Sequence, residues 1–520
     1  MTPENHWKPS FNPWLIATSV MLATFMEVLD TSVANVALPH IAGNLSATPE
    51  ESTWVLTSYL ISNAIILPAT NWLGSLFGRK RFLIVCIGIF TLSSALCGAA
   101  TSLGMLLVAR ILQGAGGGAL QPIAQAVLLE SFPAEKRGAA MAAYGMGIVV
   151  APIIGPTLGG WITDNYSWRW IFYINIPVGL LAMLMAKTFI EDPPYIRSQR
   201  PGRIDFVGFG LMAIGLATLQ LVLDKGQEED WFSSAFIVRS VLIAVVALVA
   251  FVIWELRTKE PIVNLRVLAN RNFATGTALI ATVGVALYGT TALLPLFLQT
   301  LLGYPALQSG LAVSPRGIGA IVSMIIVGRI LGKIDGRYLI VFGFAILAVS
   351  TYFLGDIDLE ITVRSIAWPQ VWSGFALGFV FVPLTVLTTG TLRNEEIGNA
   401  TGIYNLMRNV GGSFGIAAVT TMLARGAQAH QATMVSHLTP YDPVFRERLS
   451  EMVANFTAHG NVVTATQQAY GAMYQTLVRQ ATLLAYIDIF RILALICLIC
   501  LPAGLLFKKV RARGGPAAMH

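Results

Sequence analysis

The sequence has 520 residues, of which 55% are hydrophobic and 12% are charged, and its mean hydropathy is +0.67. A soluble domain carries about 25% charged residues, so this composition excludes a soluble globular protein. The net charge of +7 does not predict nucleic-acid binding, because the basic residues lie in short loops between apolar segments rather than on one face of a domain.

Apolar segments recur along the whole chain. A membrane-spanning helix needs about 20 mostly apolar residues, and the sequence predicts an all-α polytopic membrane protein with fourteen such helices. The first segment is too long for a cleavable signal peptide, so it is predicted to be a retained helix. The predicted spans are 14–39, 53–73, 82–101, 104–130, 138–162, 169–189, 206–223, 236–256, 273–299, 307–331, 338–355, 366–391, 402–424 and 482–507.

The charged residues predict the orientation of the chain. Basic residues cluster in alternate loops, whereas the intervening loops carry Asp and Glu. Because cytoplasmic loops of membrane proteins are enriched in Lys and Arg, both termini are predicted to be cytoplasmic. The basic clusters lie at 79–81, 136–137, 197–203, 257–271, 329–337 and 508–513.

An internal repeat relates the two halves of the sequence at an offset of 260 residues. The matching pairs are Gly114/Gly374, Gly118/Gly378, Glu135/Glu395, Gly138/Gly398, Tyr144/Tyr404 and Gly155/Gly415. Pairs in one register indicate homologous halves, and transporters built in this way hold the substrate between the halves. The predicted organisation is a six-helix bundle at 1–190, a linker with two inserted transmembrane helices at 191–260, and a second six-helix bundle at 261–520.

Segment 425–480 is an exception among the short predicted loops. It is polar, it follows the thirteenth predicted span, and it is predicted to be extracytoplasmic. A connection of this length is too long for a plain loop. A docking surface for a partner and a disordered insert both fit the sequence.

Two acidic residues, Glu27 and Asp30, lie within the first predicted span. A charge at the centre of a membrane helix costs at least ~2.5–3.5 kcal/mol, so each charge needs a reason. Three residues apart, the two side chains share one face of the helix, where a carboxyl near a second carboxyl can exchange a proton near neutral pH. The alternative is an acid permanently paired with a basic residue of another span.

The fourth predicted span contains Arg110 and Gln113, followed by a glycine run that includes Gly114 and Gly118. No strand precedes the glycines, so a nucleotide-binding loop is not predicted. The glycines instead permit close helix packing, and Arg110 is predicted to pair with an acid. Arg316 and Arg408, in spans of the second half, are candidates for charge partners or cavity residues, and structural bracing explains them equally well.

Prolines and glycines alternate in the fifth predicted span at Pro152, Gly155, Pro156, Gly159 and Gly160. Each proline removes a backbone hydrogen-bond donor, and each glycine removes side-chain bulk. The pattern predicts a bent, closely packed helix that acts as a seal or a hinge.

Taken together, these motifs resemble the fourteen-span drug/proton antiporters of the major facilitator superfamily, and the EmrB-like members in particular. The resemblance rests on the first-helix motif at 29–39, on Arg110-x-x-Gln113-Gly114, on Gly155-Pro156-x-x-Gly159-Gly160, and on the segment at 223–231. It implies two pseudo-symmetric six-helix bundles with two inserted helices. It also implies that Arg110 takes part in proton coupling, that the fifth-helix motif belongs to an exporter, and that Asn35 of the first motif is a cavity candidate.

The loop after the second predicted span departs from the superfamily pattern. Ser75 and Leu76 stand where Asp and a basic residue are usual, so the charge-relay role of that aspartate does not carry over. Gly78, Arg79 and Lys80 match the end of the motif and are predicted to steady the cytoplasmic contact between the halves.

The resemblance implies a proton-coupled multidrug efflux transporter that exports lipophilic or cationic compounds from the inner membrane by alternating access. EmrB-like proteins work with a periplasmic adaptor and an outer-membrane channel, so both partners are expected, together with membrane lipids. No catalytic residue, metal or cofactor is predicted, and the proton gradient supplies the energy. A proton-coupled exporter of one metabolite, such as a siderophore or fatty acid, and a non-transporting membrane receptor are the alternatives.

Overall fold

The computed structural model describes residues 9–193, 205–457 and 462–508. Within these ranges, thirteen helices are long and apolar enough to cross a membrane, so the chain is a multi-pass membrane protein. The basic clusters at 197–203 and 509–513, which support the predicted orientation, lie outside the described residues.

The N-terminal half forms six spans, two of which are interrupted. Helices α4 and α5 together make the fourth span, and α7 and α8 make the sixth. The helices are α1 (Pro13–Asn44), α2 (Pro49–Phe77), α3 (Arg79–Gly98), α4 (Leu103–Gly117), α5 (Leu120–Ser131), α6 (Arg137–Asn165), α7 (Trp170–Tyr173) and α8 (Asn175–Phe189).

Two further spans and a second group of helices follow. The two spans are α9 (Phe206–Lys225) and α10 (Ala235–Arg257). The second group comprises α11 (Arg271–Thr300), α12 (Ala306–Val313), α13 (Pro315–Ile330), α14 (Gly336–Phe353), α15 (Val363–Thr389), α16 (Asn394–Val435), α17 (Pro443–Thr457) and α18 (Val462–Cys500). Helices α12 and α13 together form one interrupted span.

The first two helices begin at residues whose side chains cap them. The side chain of Asn12 accepts a hydrogen bond from the backbone of Trp14 at 2.9 Å, and Thr48 and Glu51 form a reciprocal capping box at the start of α2. Such caps satisfy backbone N–H groups that have no partner within the helix.

Glycines show that the repeat corresponds to equivalent packing in the two halves. A Cβ at Gly114 would meet the backbone carbonyl of Tyr59 in α2, and a Cβ at Gly374 would meet that of Arg316 in α13. Helix α4 of the first half and its counterpart α15 of the second half therefore each approach the backbone of a neighbouring helix closely. In the same way α6 packs on α1, and α16 packs on α11.

The repeat also relates contacts between the halves. Gly138 of α6 packs against Leu331, which caps the end of α13, and its counterpart Gly398 of α16 packs against Asn71 of α2. Both contacts lie near the ends of the helices where Arg79 also lies, and we call this side of the bundle the basic face. The two halves thus contact each other through α6 with α13 and through α2 with α16.

Helix α9 lies between α2 and α16 and contacts both. Near the face opposite the basic face, Lys225 at its end donates to Thr53 of α2. Gln220, one turn earlier, accepts a hydrogen bond from Ser413 of α16 at 3.1 Å. Helix α9, the first of the two inserted spans, is therefore hydrogen-bonded to both halves.

The predicted loop at 425–480 is largely helical among its described residues. Helix α16 is 42 residues long and α18 is 39 residues long, so both extend well beyond the ~30 Å hydrocarbon core, which about 20 helical residues cross. His430 and Asp488 link the two helices at 2.8 Å. The sequence does not reveal these extensions, because a helix surrounded by water lacks the apolar run that marks a span.

The thirteenth predicted span, 402–424, lies within α16, which is not among the thirteen helices with a strongly apolar window. This helix contacts α11 and α18 in its own half and α2 and α5 in the other. Because protein surrounds it on several sides, α16 carries more polar residues than a lipid-exposed helix.

The prolines of α6 leave a backbone carbonyl that α1 satisfies. Pro156 has no N–H to donate to the carbonyl of Pro152, four residues earlier. The Ser32 hydroxyl of α1 donates to that carbonyl instead, at 3.2 Å, and the side chain of Ser32 lies directly against Gly155. The proline and glycine motif therefore fixes the contact between α1 and α6.

We predict that Gly155→Ala destabilises the protein, because the added methyl group would overlap Ser32. Overpacking of this kind typically costs ~1–3 kcal/mol. The measurement is the midpoint of thermal unfolding of the purified protein in detergent. Gly160→Ala, on the same helix, is the matched control, since no atom lies within 4 Å of the added Cβ. Equal unfolding midpoints for the two variants would contradict the predicted contact.

Candidate functional site

The carboxylate of Asp30 is buried and accepts hydrogen bonds from three side chains of two other helices, α4 and α8. It accepts hydrogen bonds from Arg110 at 2.7 Å, from Gln113 at 2.9 Å, and from Asn175 at 2.6 Å. The side chain is 1% exposed and that of Arg110 is 0% exposed. The structure therefore brings together Asp30, Arg110 and Gln113, which the sequence analysis had singled out separately.

Arg110 is held in place by contacts beyond the ion pair. Its Nε donates to the carbonyl of Val55 at 3.0 Å, and its guanidinium lies 4.3 Å from the centre of the Tyr59 ring. One guanidinium nitrogen, Nη2, has no hydrogen-bond partner among the described residues. A cation over an aromatic ring is stabilised by the ring's quadrupole, so Arg110 is oriented even on the side away from Asp30.

Glu27, one turn before Asp30, has a different environment. Its carboxylate accepts hydrogen bonds from Gln121 at 2.7 Å, from Tyr59 at 3.1 Å, and from Asn63 at 3.3 Å. The residue is 4% exposed, and all three of these donors are neutral. The two carboxyl groups of α1 thus lie on one helix face, as the spacing predicts, but only Asp30 has an ion-pair partner.

A polar connection crosses from Glu27 to the second half of the protein. Gln121 donates to Glu27 with its amide nitrogen and accepts a hydrogen bond from Arg408 of α16 with its amide oxygen. One turn further along α5, Gln125 accepts a hydrogen bond from Asn405 at 2.7 Å. Gln121 therefore connects an acid of one half with a base of the other at the contact between the halves.

Arg316 lies apart from this network. It is 3% exposed and donates from Nη1 to Thr291 at 2.9 Å and to Thr290 at 3.3 Å. Its Nε and Nη2 atoms have no partner among the described residues. Both partners that it has are neutral hydroxyl groups.

The residues at the basic face form a separate contact. Gly78 has a φ of +83°, and a Cβ there would press against the Asp192 carboxylate. That carboxylate accepts from the backbone N–H of Lys80 at 2.7 Å. Arg79 pairs with Glu130 at the end of α5. A Cβ at Gly398 of the other half would lie 3.2 Å from Nη2 of Arg79, so this motif lies at the junction of the halves.

The remaining candidates are distributed along the helices. Asn35 is exposed on α1 and does not join the Asp30 cluster. Gly118 packs on the backbone of Asn63, and Gly159 packs on Val33 of α1. These glycines position α5 and α6 against the helices that carry the charged groups.

Sequence reasoning missed several polar residues of the site. Asn175, Tyr59 and Gln121 complete the two carboxylate environments, and Gln125 and Asn405 complete the link between the halves. One available signal was the pair of amides at Gln121 and Gln125, since two buried amides four residues apart face the same neighbour. Asn175 was a weaker indication of a buried polar site, because a single Asn within an apolar segment is also typical of the end of a helix.

A helical membrane bundle with buried charge networks between two similar halves is the architecture of a transporter rather than an enzyme. A family model described as Major Facilitator Superfamily matches residues 20–416, and the chain belongs to that superfamily. The predicted family and fold class are therefore confirmed.

Individual comparisons agree with this assignment. The chain is 40% identical over 439 residues to the multidrug export protein EmrB of Haemophilus influenzae, with 84% of this chain and 86% of that protein covered. It is 36% identical over 501 residues to the fatty acid resistance protein FarB of Neisseria gonorrhoeae, with 96% and 97% covered. The solved structure of the proton:xylose symporter XylE shares the fold, with a TM-score of 0.60 at 14% identity and 96% and 97% of the two chains covered.

We predict that Asp30 and Arg110 are strongly coupled in stability. Removing one partner of a buried ion pair costs ~3–5 kcal/mol, because the other charge is left uncompensated. Asp30→Asn and Arg110→Gln should therefore each lower the thermal unfolding midpoint, and the double variant should lose less than the sum of the two. The control cycle uses Arg448 and Glu451, an ion pair whose side chains are 64% and 53% exposed. Strict additivity at Asp30 and Arg110 would contradict the coupling.

Proposed function

We propose that this chain is a proton-coupled exporter of lipophilic compounds. The observation that carries the proposal is the arrangement of Glu27 and Asp30: two buried carboxyl groups on one face of α1, one paired with Arg110 and one linked through Gln121 to Arg408 of the other half. The likeness to proteins called multidrug export protein EmrB supports the direction of transport.

Asp30 is the proposed site of proton exchange, and Glu27 assists it. Protonation of Asp30 removes the negative charge that compensates Arg110, so the buried guanidinium must find another partner or move. Protonation of Glu27 weakens its attraction for the amide of Gln121 and, through it, for Arg408. Protonation of Asp30 therefore changes contacts within the first half, and protonation of Glu27 changes a contact that reaches the second half.

Alternating access requires the contacts between the halves to open and close in turn. Near the basic face the halves meet through α6 with α13 and through α2 with α16. A compound entering from that side can reach the interior only when these contacts separate. Exchange is obligatory when drug and proton each favour a different arrangement, because linkage then makes the binding of one oppose the binding of the other.

The inner membrane of a Gram-negative bacterium is the proposed location, with the basic face and both termini in the cytoplasm. The basic loops support this orientation, and the relatives from Haemophilus influenzae and Neisseria gonorrhoeae support the host type. The extensions of α16 and α18 then lie in the periplasm. An adaptor protein would bind there and pass the compound to an outer-membrane channel.

Export of one metabolite is the second candidate function. Its support is the likeness along nearly the whole chain to a protein named for fatty acid resistance. This candidate uses the same proton site and the same contacts between the halves, and it differs from the first only in the number of compounds accepted.

We expect Asp30→Asn to abolish export driven by a pH gradient while the protein still inserts into the membrane. An amide cannot release the proton that exchange requires. Glu27→Gln should lower the rate by tenfold or more, whereas Glu360→Gln, at an exposed position, should not change it. The measurement is transport of a compound panel by proteoliposomes with an imposed pH gradient. Undiminished export by the Asp30 variant would defeat the assignment of the proton site.

A cross-link between the halves should block transport. A Cβ at Gly138 would lie 3.3 Å from the Cβ of Leu331, close to the ~3.5–4.5 Å separation of a disulfide. In a background without the native cysteines, oxidation of Gly138→Cys with Leu331→Cys should stop export, and reduction should restore it. Gly426→Cys with Ala485→Cys is the control, since those Cβ atoms lie 3.2 Å apart within one half. Full transport by the cross-linked first pair would rule out separation at this contact.

A further inference from the structure

Arg316 is a buried cation whose hydrogen-bond partners are all neutral. The residue is 3% exposed, and its two hydrogen bonds go to the hydroxyl groups of Thr290 and Thr291. Two of its nitrogens, Nε and Nη2, have no partner in the described part of the chain. A guanidinium has five N–H donors, so most of the hydrogen-bonding capacity of Arg316 is unused in this conformation.

The helices around Arg316 supply no counter-charge. Helices α11 to α15 contain no Asp or Glu between their first and last residues. Arg110 of the first half, by contrast, has Asp30 at 2.7 Å. A charged side chain inside a membrane bundle normally pairs with an opposite charge or marks a path for substrate or ions.

The charges buried within the spans confirm the imbalance. Away from the ends of the membrane spans, the buried acids of the described residues are Glu27 and Asp30, and the buried bases are Arg110, Arg316 and Arg408. Even with both carboxyl groups ionised, three positive charges face two negative charges. The interior therefore retains one positive charge, which a monovalent anion would neutralise and a cationic compound would increase.

Other unused polar atoms lie at the same level of the second half. The amide oxygen of Gln370 and the hydroxyl of Ser373 have no partner among the described residues. Both precede Gly374, whose close packing holds α15 against the backbone of Arg316. In the register of the repeat, Gln370 and Ser373 occupy the positions of Arg110 and Gln113, so the second half has polar groups where the first half has its ion-pair cluster.

The contact between the halves passes next to this residue. Gly317, the neighbour of Arg316 on α13, faces Ile153 of α6, and a Cβ at Gly317 would lie 2.8 Å from Cδ1 of Ile153. Separation of the halves along α6 and α13 would therefore uncover the surface beside Arg316, where a substrate held between the halves would lie.

We infer that Arg316 forms the anion-binding part of the substrate site and that the exported compounds are amphiphiles with a monovalent anionic headgroup such as a carboxylate. The guanidinium would bind the headgroup through Nε and Nη2, whose geometry matches two carboxylate oxygens. The hydroxyl of Ser373 would donate to the same group, and the apolar chain would lie between the halves. This inference rests on the proposed exporter function, because it names the substrate class of that exporter.

The test measures binding and transport of three compounds with equal chains: decanoate, decanol and decyltrimethylammonium. Equilibrium binding is measured with the full-length protein in lipid nanodiscs at neutral pH. We expect decanoate to bind more tightly than the other two compounds. Arg316→Gln should weaken decanoate binding on the order of tenfold to a hundredfold, the effect of losing a charged hydrogen-bond partner, and should leave decanol binding unchanged. Arg329→Gln, at an exposed position on the same helix, should behave as wild type.

A second measurement separates binding from a structural role. If Arg316 serves the substrate, Arg316→Gln removes an uncompensated charge, and the unfolding midpoint without ligand should stay equal or rise. A lower midpoint with unchanged decanoate affinity would show that Arg316 braces the helices and would overturn the inference. Equal affinity of the wild type for decanoate and decyltrimethylammonium would overturn it as well.

The same compounds distinguish this inference from the proposed function. Export of decyltrimethylammonium in exchange for protons, without Arg316-dependent decanoate binding, would refute the anion site and leave the exporter intact. Arg316-dependent decanoate binding without transport of any compound under a pH gradient would refute proton-coupled export. Asp30→Asn should lose exchange, and Arg316→Gln should still weaken decanoate binding in that background, because Asp30 belongs to the first half and not to the anion site.

Discussion

Charge buried in the membrane interior needs compensation from within the protein, because neither lipid nor bulk water supplies it. Asp30 and Arg110 satisfy this need directly, and the amides of Gln113 and Asn175 use the remaining acceptor sites of the carboxylate. Three separate spans, which contain α1, α4 and α8, contribute to this one cluster, so the packing of the first half depends on it. Gly117 of α4 lies directly against Glu27 of α1, and this close contact brings α4 near the helix that carries both acids.

The two halves share a packing plan but differ in their polar groups. Equivalent glycines place α4 on α2 and α15 on α13. Yet among the charges buried away from the ends of the described spans, the first half holds both acids and the second half holds two of the three arginines. Gln121 links an acid of the first half to an arginine of the second, since it is hydrogen-bonded to Glu27 on one side and to Arg408 on the other. A pseudo-symmetric scaffold thus carries an asymmetric distribution of charge.

Much of the fold could be predicted from the sequence, because long apolar segments and a repeat register are local or periodic signals. The pairing of Arg110 with an acid was also predictable, since an unpaired cation in a span is costly. The polar partners of the two carboxylates were not predictable from the sequence. Asn175 and Gln121 reach them only because helices distant in sequence cross in the fold. The helical extensions of α16 and α18 were missed for a related reason. Their helicity comes from continuing a span into water, where His430, Asp488 and other polar residues pack against each other without an apolar stripe.

The length of α16 has a mechanical consequence. Arg408 lies in the interior and His430 lies 22 positions later on the same unbroken helix, which corresponds to about 33 Å along its axis. A small tilt of the helix at Arg408 becomes a displacement of several ångströms at His430, as in a lever arm. Because Asp488 of α18 is hydrogen-bonded to His430 of α16 at that level, a tilt of α16 would also move α18. Movement at Arg408, which contacts Gln121 of the other half, would therefore be enlarged at the far ends of both helices.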